Sequence, residues 1–551
     1  MWNFSEDKKM KRQILISMSA LCMLAACTPA QKPEIQEPTE NVIHFTATLA
    51  PKGENPQSKA ITTGMEGGKE VLNVAWAVGE EIAVYYQTSV DPATATATVQ
   101  SVTNGVATIT ADLTGAIDGS SVSLVYPASL HNGKGGIDET ALLNQNGNLT
   151  GANGISTKFD AAIGTSTITL IDGWNESVSD MVTMTNQVCI CKFRFHLDAG
   201  STAIQDEFRN VIIFDGNGHT YTITSDKTDE MFGGTRYFRN TDDIYVALLP
   251  VSGKVVTFYY TTSGTSQGHS VQWNYLHTSG NTTLSAGKFY RNIGTINLVR
   301  DEFTAGQFTF KDLSAGSITA SSGDIIWQSG GAIANSITIG DGAKVRLHGV
   351  NISGAGIFCS GNATINLAGT NTVTNTDISS PAIQAGGSGT TLTIQGSGSM
   401  IVTGGKGGAG IGSGFQQSCG DIVIKSGAIT ANGGGSGAGI GSGNGAGSGV
   451  NQTTCGNITI SGGTVTATGG HAAAGIGCGI SARCGDITIT NGVNSVTATK
   501  GKSASYSIGK GDSTDSICGT VTIGGTVYYD GTNFLNGGDT YLANSLFIYQ
   551  P

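Results

Sequence analysis

Apolar and polar residues alternate with a period of two along the first half of the chain. The alternation is clearest over residues 43–49, 81–85 and 189–195. A period of two is typical of strands with one buried and one solvated face, and no long segment shows the period of an amphipathic helix. We therefore expect antiparallel β-sandwiches in this half, with Cys189 and Cys191 in a sandwich core.

The second half of the chain is a repeat. The sequence Gly-Ala-Gly-Ile-Gly-Ser-Gly at 408–414 returns at 437–443, and related sequences recur about every 30 residues. Each repeat holds three short strands and cannot bury its own apolar face, so successive repeats must stack on one another. The pattern predicts a right-handed parallel β-helix from about residue 335 to 530. Residues 528–551 are expected to cap its open end.

Composition separates the two halves and limits the function. Only 13 % of residues are charged and the net charge is −11, which argues against nucleic acid as a partner. Glycine becomes much more frequent after about residue 302, where glutamate disappears. Two different architectures are therefore expected to meet near that residue.

The N-terminus has the features of an export signal. Basic residues precede an apolar run over 14–26, which is too short to remain as a membrane span. The run ends in Leu24-Ala25-Ala26-Cys27, which resembles a bacterial lipobox. This predicts lipidation at Cys27 and anchoring to the outer membrane, with residues 28–40 as a tether. The alternative is an ordinary signal peptide with a chance cysteine.

Four motifs in the first half resemble the fimbrillin-like proteins of Bacteroidetes. They are the Trp-x-x-Gly-Glu strand pair at 76–85, the Tyr-Pro strand end at 124–127, the strand with its proline at 244–251, and Ala-Gly-Lys-x-Tyr at 286–290. The resemblance implies an all-β fold of two tandem β-sandwiches and a role in surface pili, whose subunits join by strand donation. Its predicted partners are other pilus subunits.

Together these features predict five segments. In chain order they are a signal peptide at 1–27, a tether at 28–40, fimbrillin-like (transthyretin-like) sandwiches at 41–180 and 181–302, and a parallel β-helix with its cap at 303–551. Two departures from the family stand out. No arginine that could serve as a processing site lies between Arg12 and Arg194, which leaves Lys59 as the nearest substitute, and the chain continues for the whole β-helix beyond the family's usual end.

Cysteines recur once per repeat at Cys419, Cys455, Cys484 and Cys518, each followed by glycine. Stacked on successive turns, they could form disulfides or an internal ladder of free thiols, and we favour the ladder. No metal site is expected, because no Cys-x-x-Cys pair or histidine cluster accompanies them.

Weak candidates for ligand contact lie in the repeats. Asp421, Asn457 and Asp486 occupy equivalent positions and could form an acidic ladder, although such residues more often satisfy turn amides. Phe415 is a candidate for stacking on a sugar. Trp327 is a second candidate, but we expect it to seal the start of the helix.

Catalysis is not expected, and no cofactor is predicted. β-Helix enzymes that cleave polysaccharides need clustered carboxylates and basic residues, whereas ionisable residues are sparse after residue 302. Arg346 and His348 share one strand face and are expected at the surface. The sequence thus predicts a cell-surface adhesin, a tip or accessory pilus subunit, that binds a host or microbial glycan or protein. The alternative is a lipid-anchored carbohydrate-binding protein outside pili, and an enzyme is the least favoured.

Overall fold

The computed structural model describes residues 41–51, 62–66, 69–171, 175–198, 207–208, 210–227, 238–266, 269–291, 295–301, 309–328, 330–445, 453–512 and 514–551. Strands dominate these residues, which confirms the all-β prediction. The helical elements are short: α-helices Ile155–Lys158 and Gly538–Tyr541, and 3₁₀ turns Ala128–Leu130, Glu139–Leu143 and Leu313–Ala315.

An eight-stranded sheet opens the described chain. In spatial order its strands are Glu176–Val178, Val42–Leu49, Val106–Thr114, Ala93–Thr103, Glu81–Tyr86, Ser121–Tyr126, Ala162–Thr167 and Thr185–Asn186. All neighbours are antiparallel except Glu176–Val178, which pairs parallel with Val42–Leu49. Ile43, Phe45, Ala47 and Leu49 are buried in alternation, as the period of two predicts, whereas Ile82, Ala83 and Val84 are buried in succession. A separate hairpin joins Thr62–Glu66 to Lys69–Asn73.

A second group of sheets surrounds a second core. Seven strands pair in the order Phe195–Asp198, Ile296–Asp301, His269–Leu284, Val251–Ser266, Asn210–Phe214, Thr220–Thr224 and Asn144–Gln145. Three more pair in the order Ile244–Leu248, Cys189–Phe193 and Phe289–Arg291, and Glu207–Phe208 pairs with Phe238–Arg239.

The second core draws on residues from both sides of the expected boundary near residue 180. Leu130, Leu142 and Ile155 come from the connection that follows Ser121–Tyr126, yet they pack with Cys189 and Cys191 in this core. The two N-terminal cores are therefore interleaved along the chain. The domain boundaries and the β-sandwich description stay predictions.

From residue 309 the chain coils through three parallel sheets, visiting each once per turn; we call residues 309–551 the coil. The first side contains Thr309–Asp312, Asp324–Trp327, Ala343–His348, Ala363–Ala368, Thr391–Gly396, Asp421–Ile424, Ile458–Ile460, Ile487–Ile489, Thr520–Ile523 and Thr526–Asp530. The second side contains Asn351–Ser353, Thr370–Thr374, Ser399–Thr403, Ala428–Asn432, Thr464–Thr468, Ser495–Thr499 and Leu546–Tyr549.

The third side has the shortest strands: Ile318–Ala320, Ile337–Ile339, Ile357–Cys359, Ile383–Gln384, Ile411–Gly412, Ile440–Gly441, Ile476–Gly477 and Ile508–Gly509. A small fourth sheet contains Thr454–Cys455, Arg483–Cys484 and Ile517–Cys518.

The repeated isoleucines stack in exact register on the third side. Ile411 pairs with Ile440 and Ile440 with Ile476, and these side chains are fully buried. The glycine that follows each of these three isoleucines is also required. Gly412 has a φ of 139°, and a Cβ there would lie 1.8 Å from the carbonyl oxygen of Gly441. The Ile-Gly repeat is thus explained by burial and by close approach of successive turns.

The last strands of the first and second sides run against the others. Thr526–Asp530 pairs antiparallel with Thr520–Ile523, and Leu546–Tyr549 pairs antiparallel with Ser495–Thr499. Aromatic residues pack around them, including Tyr541 against Phe547. These segments cover the final turn of parallel strands, where we expected a cap.

The start of the coil packs directly on the second group of sheets. Phe214 stacks on Phe310, and its ring also contacts Trp327. Trp327 is buried, as expected for a residue that seals the start of the coil. The expectation that Arg346 and His348 lie at the surface is wrong, because the neighbouring sheet covers this face and leaves both only 4 % exposed.

Candidate functional site: a ridge of loops along the coil

Loops that join the second and third sides of the coil stack on one another and form an exposed ridge. The amide of Gly407 donates to the carbonyl of Ile378 (2.7 Å), and the amide of Ser436 donates to Lys406 (3.0 Å). The next two turns continue the series. The amide of His471 donates to the carbonyl of Gly435 (2.7 Å), and the amide of Ser503 donates to the carbonyl of His471 (2.9 Å). We call the exposed residues of this column the loop ridge: Ile378, Lys406, Gly435, His471 and Lys502.

A glycine before every ridge position except Ile378 sets the register of these loops. A Cβ on Gly470 would lie 1.7 Å from the carbonyl oxygen of Gly434, so the neighbouring backbones leave no space for a side chain. Gly434 and Gly501 are equally close to the turn before them. Consecutive ridge residues therefore follow one another at about the inter-strand spacing, ~4.8 Å.

The loop ridge is cationic although the whole chain is acidic. Lys406 and Lys502 are exposed, and His471 Nδ1 lies 2.8 Å from Ser503 Oγ. Ile378, at the other end of the ridge, is 71 % exposed. Ammonium groups, an imidazole and hydroxyls in one row can bind anionic groups and sugar hydroxyls.

Phe415 flanks this ridge. Its amide donates to the carbonyl of Ser379 (2.7 Å), and its Cβ would be 3.0 Å from a Cβ built on Gly407. The half-buried ring is therefore close to the loops that carry Ile378 and Lys406. Of the ligand contacts expected from the sequence, this is the one that the structure places beside the ridge.

The Asp421, Asn457 and Asp486 column lies at a different corner, where each turn enters the first side. Asp421 Oδ1 accepts the amide of Asn457 (2.7 Å), Asn457 Oδ1 accepts the amide of Asp486 (2.8 Å), and Asp486 Oδ1 accepts that of Thr520 (2.7 Å). The expected stacking is present, and each side chain holds the backbone of the next turn. Ligand binding by these three residues stays a prediction.

The Trp-x-x-Gly-Glu and Tyr-Pro motifs meet in the first sheet. Tyr126 donates from its hydroxyl to Glu80 Oε1 (2.7 Å), while Glu80 Oε2 accepts the amide of Ala77 (2.9 Å). Trp76 packs edge-on against Tyr126 and donates from Nε1 to the carbonyl of Ala50. Burial and the nearby Glu80 raise the pKa of Tyr126 well above its usual range. These motif residues tie strands together beside a cleft of about 290 Å³.

A second polar cleft, of about 420 Å³, lies in the second group of sheets and includes Arg194 and His196. Arg194 forms a salt bridge with Asp243. Lys192 Nζ forms salt bridges with both Asp243 Oδ2 (3.0 Å) and Glu70 Oε2 (2.8 Å). Although burial opposes ionisation of Asp243, hydrogen bonds from Arg194 and Lys192 lower its pKa. The cations next to this cleft are therefore already neutralised, whereas Lys406 and Lys502 of the loop ridge form no ion pair with another described residue.

Sequence reasoning missed the loop ridge. The signal that could have found it is the variable residue after Gly-Gly in each repeat, namely Lys406, Gly435 and His471. Alignment of the repeats places these residues in one column, whereas their exposure depends on the folding of the loops.

Several expectations fall outside the described residues, including lipidation of Cys27 and processing at Lys59. Within the described part of the chain, no helix has the length and apolar character needed to cross a membrane. The same residues contain no group of three or more His, Cys, Asp or Glu side chains arranged to hold a metal ion.

Comparisons with known proteins found no matching family model and no matching curated protein. Solved structures gave likenesses at low identity. A provisionally named cell adhesion protein from Bacteroides eggerthii is 12 % identical with a TM-score of 0.25, covering 47 % of this chain and 87 % of its own. A provisionally named cell adhesion protein from Bacteroides fragilis is 12 % identical with a TM-score of 0.25, covering 45 % and 91 %. The tip fimbrial protein Mfa3 from Porphyromonas gingivalis is 11 % identical with a TM-score of 0.18, covering 44 % and 80 %.

Proposed function

We propose that this chain is a cell-surface adhesin. In this proposal, residues 41–302 form two fimbrillin-like β-sandwiches, and residues 303–551 form a right-handed parallel β-helix that carries the binding face. The lipid on Cys27 anchors the protein in the outer membrane. The chain acts as a tip or accessory subunit of a pilus.

The loop ridge is the observation that carries this proposal. It places two exposed lysines, Lys406 and Lys502, and the exposed imidazole of His471 in one row along a fully stacked coil. Because the glycine contacts between turns fix the backbone of the row, little backbone conformational entropy is lost when a ligand binds. A row of this kind suits an extended anionic glycan that lies parallel to the coil axis.

The positions of the carboxylates in the coil are consistent with binding without catalysis. Asp421 and Asp486 each accept an amide from the next turn, and Asp324 is paired with Lys311 at 2.8 Å. Carboxylates held in this way stabilise the turns and are poorly placed for acid and base catalysis, which needs a pair facing one substrate. We therefore propose a non-enzymatic role.

One observation favours a second candidate, a lipid-anchored carbohydrate-binding protein that never enters a pilus. No arginine lies between Arg12 and Arg194, so an arginine-directed protease cannot free a groove in the first sandwich. In this case the same ridge would bind glycans at the membrane surface.

A glycan array tests the binding face. The purified protein should bind sulfated or uronate-containing glycans and lose at least tenfold in affinity in a Lys406→Ala/Lys502→Ala double variant. The matched control is Lys344→Ala/Lys425→Ala, since these two lysines are also exposed but lie outside the ridge. Added salt should weaken binding by the wild type. Equal loss in both double variants would contradict a specific ridge site.

Electron microscopy separates the two cellular roles. Antibody-coupled gold against residues 309–551 should mark filament ends on native cells if the chain is a tip subunit. Gold scattered over the outer membrane, with filaments unmarked, would overturn the pilus role and favour the anchored protein.

A further inference from the structure

The residue after three of the Ile-Gly pairs on the third side is buried in a narrow corner of the coil. Ser413 and Ser442 occupy this position on two turns, and their hydroxyls accept the amides of Gly443 (2.9 Å) and Gly479 (3.0 Å). On the next turn the equivalent residue is Cys478. The corner thus holds a hydroxyl on two turns and a thiol on the next.

A column of cysteines lies close to this position. Cys455 pairs with Cys484 and Cys484 with Cys518 in the small fourth sheet, and all three are buried. The turn that contains Cys478 therefore has a thiol in both columns. Cys478 Sγ lies 2.8 Å from Cys484 Sγ.

We propose that Cys478 and Cys484 form a disulfide in the exported protein. Both residues belong to one turn, six residues apart, and their sulfurs are in contact. Cysteines stacked in register on parallel strands are less suitable, because their Cβ atoms stay near the ~4.8 Å strand spacing, whereas a disulfide needs about 3.5–4.5 Å. The bond therefore joins one turn to itself and does not link successive turns.

The oxidation needs an external disulfide. Two S–H bonds of Cys478 and Cys484 break and one S–S bond forms, while a low-molecular-weight disulfide or a thiol–disulfide oxidoreductase takes up both hydrogens and becomes two thiols. Both sulfurs are buried in the folded coil, so the exchange takes place before the turns close over them. The disulfide restrains the loop at 479–483. Within this loop the carbonyl of Ile480 accepts a hydrogen bond from the amide of Gly445.

Peptide mapping of the full chain tests the proposal. The chain is refolded with mixed reduced and oxidised glutathione, alkylated under denaturing conditions and digested with trypsin without reduction. Because Arg483 lies between the two cysteines, the expected product is peptide 426–483 linked to peptide 484–500. Fragmentation of this product should place the bond on Cys478. Alkylation of both cysteines, or a bond from Cys484 to Cys455 or Cys518, would overturn the proposal.

Two variants keep the test independent of folding defects. Cys478→Ser reproduces the arrangement of Ser413 with Cys419, so it should fold, lose the link and melt about 5 °C lower than the oxidised wild type. Ser413→Cys places a second thiol six residues before Cys419, as in the native pair, and should gain a second link. A wild-type melting temperature that is unchanged by reductant during refolding, with no linked peptide, would also overturn the proposal.

Discussion

At the scale of single residues, His348 has the environment that departs most from a surface position. Its Nε2 lies 2.8 Å from Thr257 Oγ1, and its ring contacts Phe214 with centroids 5.3 Å apart. Burial and the neighbouring Arg346 lower its pKa to about 4. The imidazole is therefore neutral at pH 7 within the junction between the coil and the second group of sheets.

This environment predicts that acid weakens the fold. Below pH 6.5 the unfolded chain takes up a proton on His348, while the folded chain takes it up only near pH 4. Stability from this group is therefore present above pH 6.5, is lost progressively as the pH falls towards 4, and changes little below that. The loss at pH 5 should be about 2 kcal/mol, measured by chemical denaturation at pH 7 and pH 5.

A His348→Gln variant isolates the effect. Glutamine has no proton to take up, so the variant should be less stable at pH 7 but should lose about 2 kcal/mol less between pH 7 and pH 5 than the wild type. The same pH dependence in variant and wild type would show that His348 does not cause the loss. His219 does not interfere, because a hydrogen bond that it donates to Asp215 raises its pKa and it is unchanged in both proteins.

At the scale of elements, the close approach of successive loops decides whether the coil can form. The loop at Gly470 passes so near Gly434 that a methyl group cannot fit. The same contact recurs at Gly434 and Gly501. The abundance of glycine in the repeat thus follows largely from backbone crowding.

Gly470→Ala should therefore destabilise the coil by more than about 3 kcal/mol, because the neighbouring backbone must move to admit the new Cβ. The measurement is chemical denaturation of the full chain, followed by tyrosine fluorescence. Gly387→Ala is the matched control, since nothing lies within 4 Å of a Cβ at that position. It should change stability by less than about 1 kcal/mol. Similar effects of the two substitutions would contradict the role of backbone crowding.

Sequence patterns predict elements well where the cause is local. The stacked isoleucines, including Ile411, Ile440 and Ile476, follow from the repeat itself, and the register confirms their stacking. The contribution of Leu130 and Ile155 to the second core could not be predicted, because it depends on how a long connection folds across a neighbouring sheet.

The same limit applies to the candidate site. Phe415 was identified because an aromatic side chain in a loop can stack on a sugar, whereas nothing in the sequence singled out Lys406 and His471. Their significance comes from the register of separate loops. The error at Arg346 and His348 has a similar cause, because the sheet that covers them lies far away in the sequence.

At the scale of the whole molecule, a mainly apolar junction joins the coil to the second group of sheets. Tyr259 and Ile325 form a small cluster there, next to the contacts of Phe214 with Phe310 and Trp327. The nearest atom to a Cβ built on Gly218 is on the Trp327 ring, at 2.7 Å, which shows how closely the two parts approach. Force or strain on the coil is expected to pass directly into the sheets.

Trp327→Ala should uncouple the two parts, because it removes a large side chain from the middle of this junction at a cost of about 3–5 kcal/mol. Hydrogen exchange should then accelerate on both sides, over Asn210–Phe214 and over Ala343–His348, while strands beyond Asp421–Ile424 keep their protection. Ile460→Val is the control, since this buried residue lies far along the coil and should cost about 1 kcal/mol without affecting Asn210–Phe214. Faster exchange limited to the coil in Trp327→Ala would show that the sheets are stable without it, and the two parts would then be independent of each other.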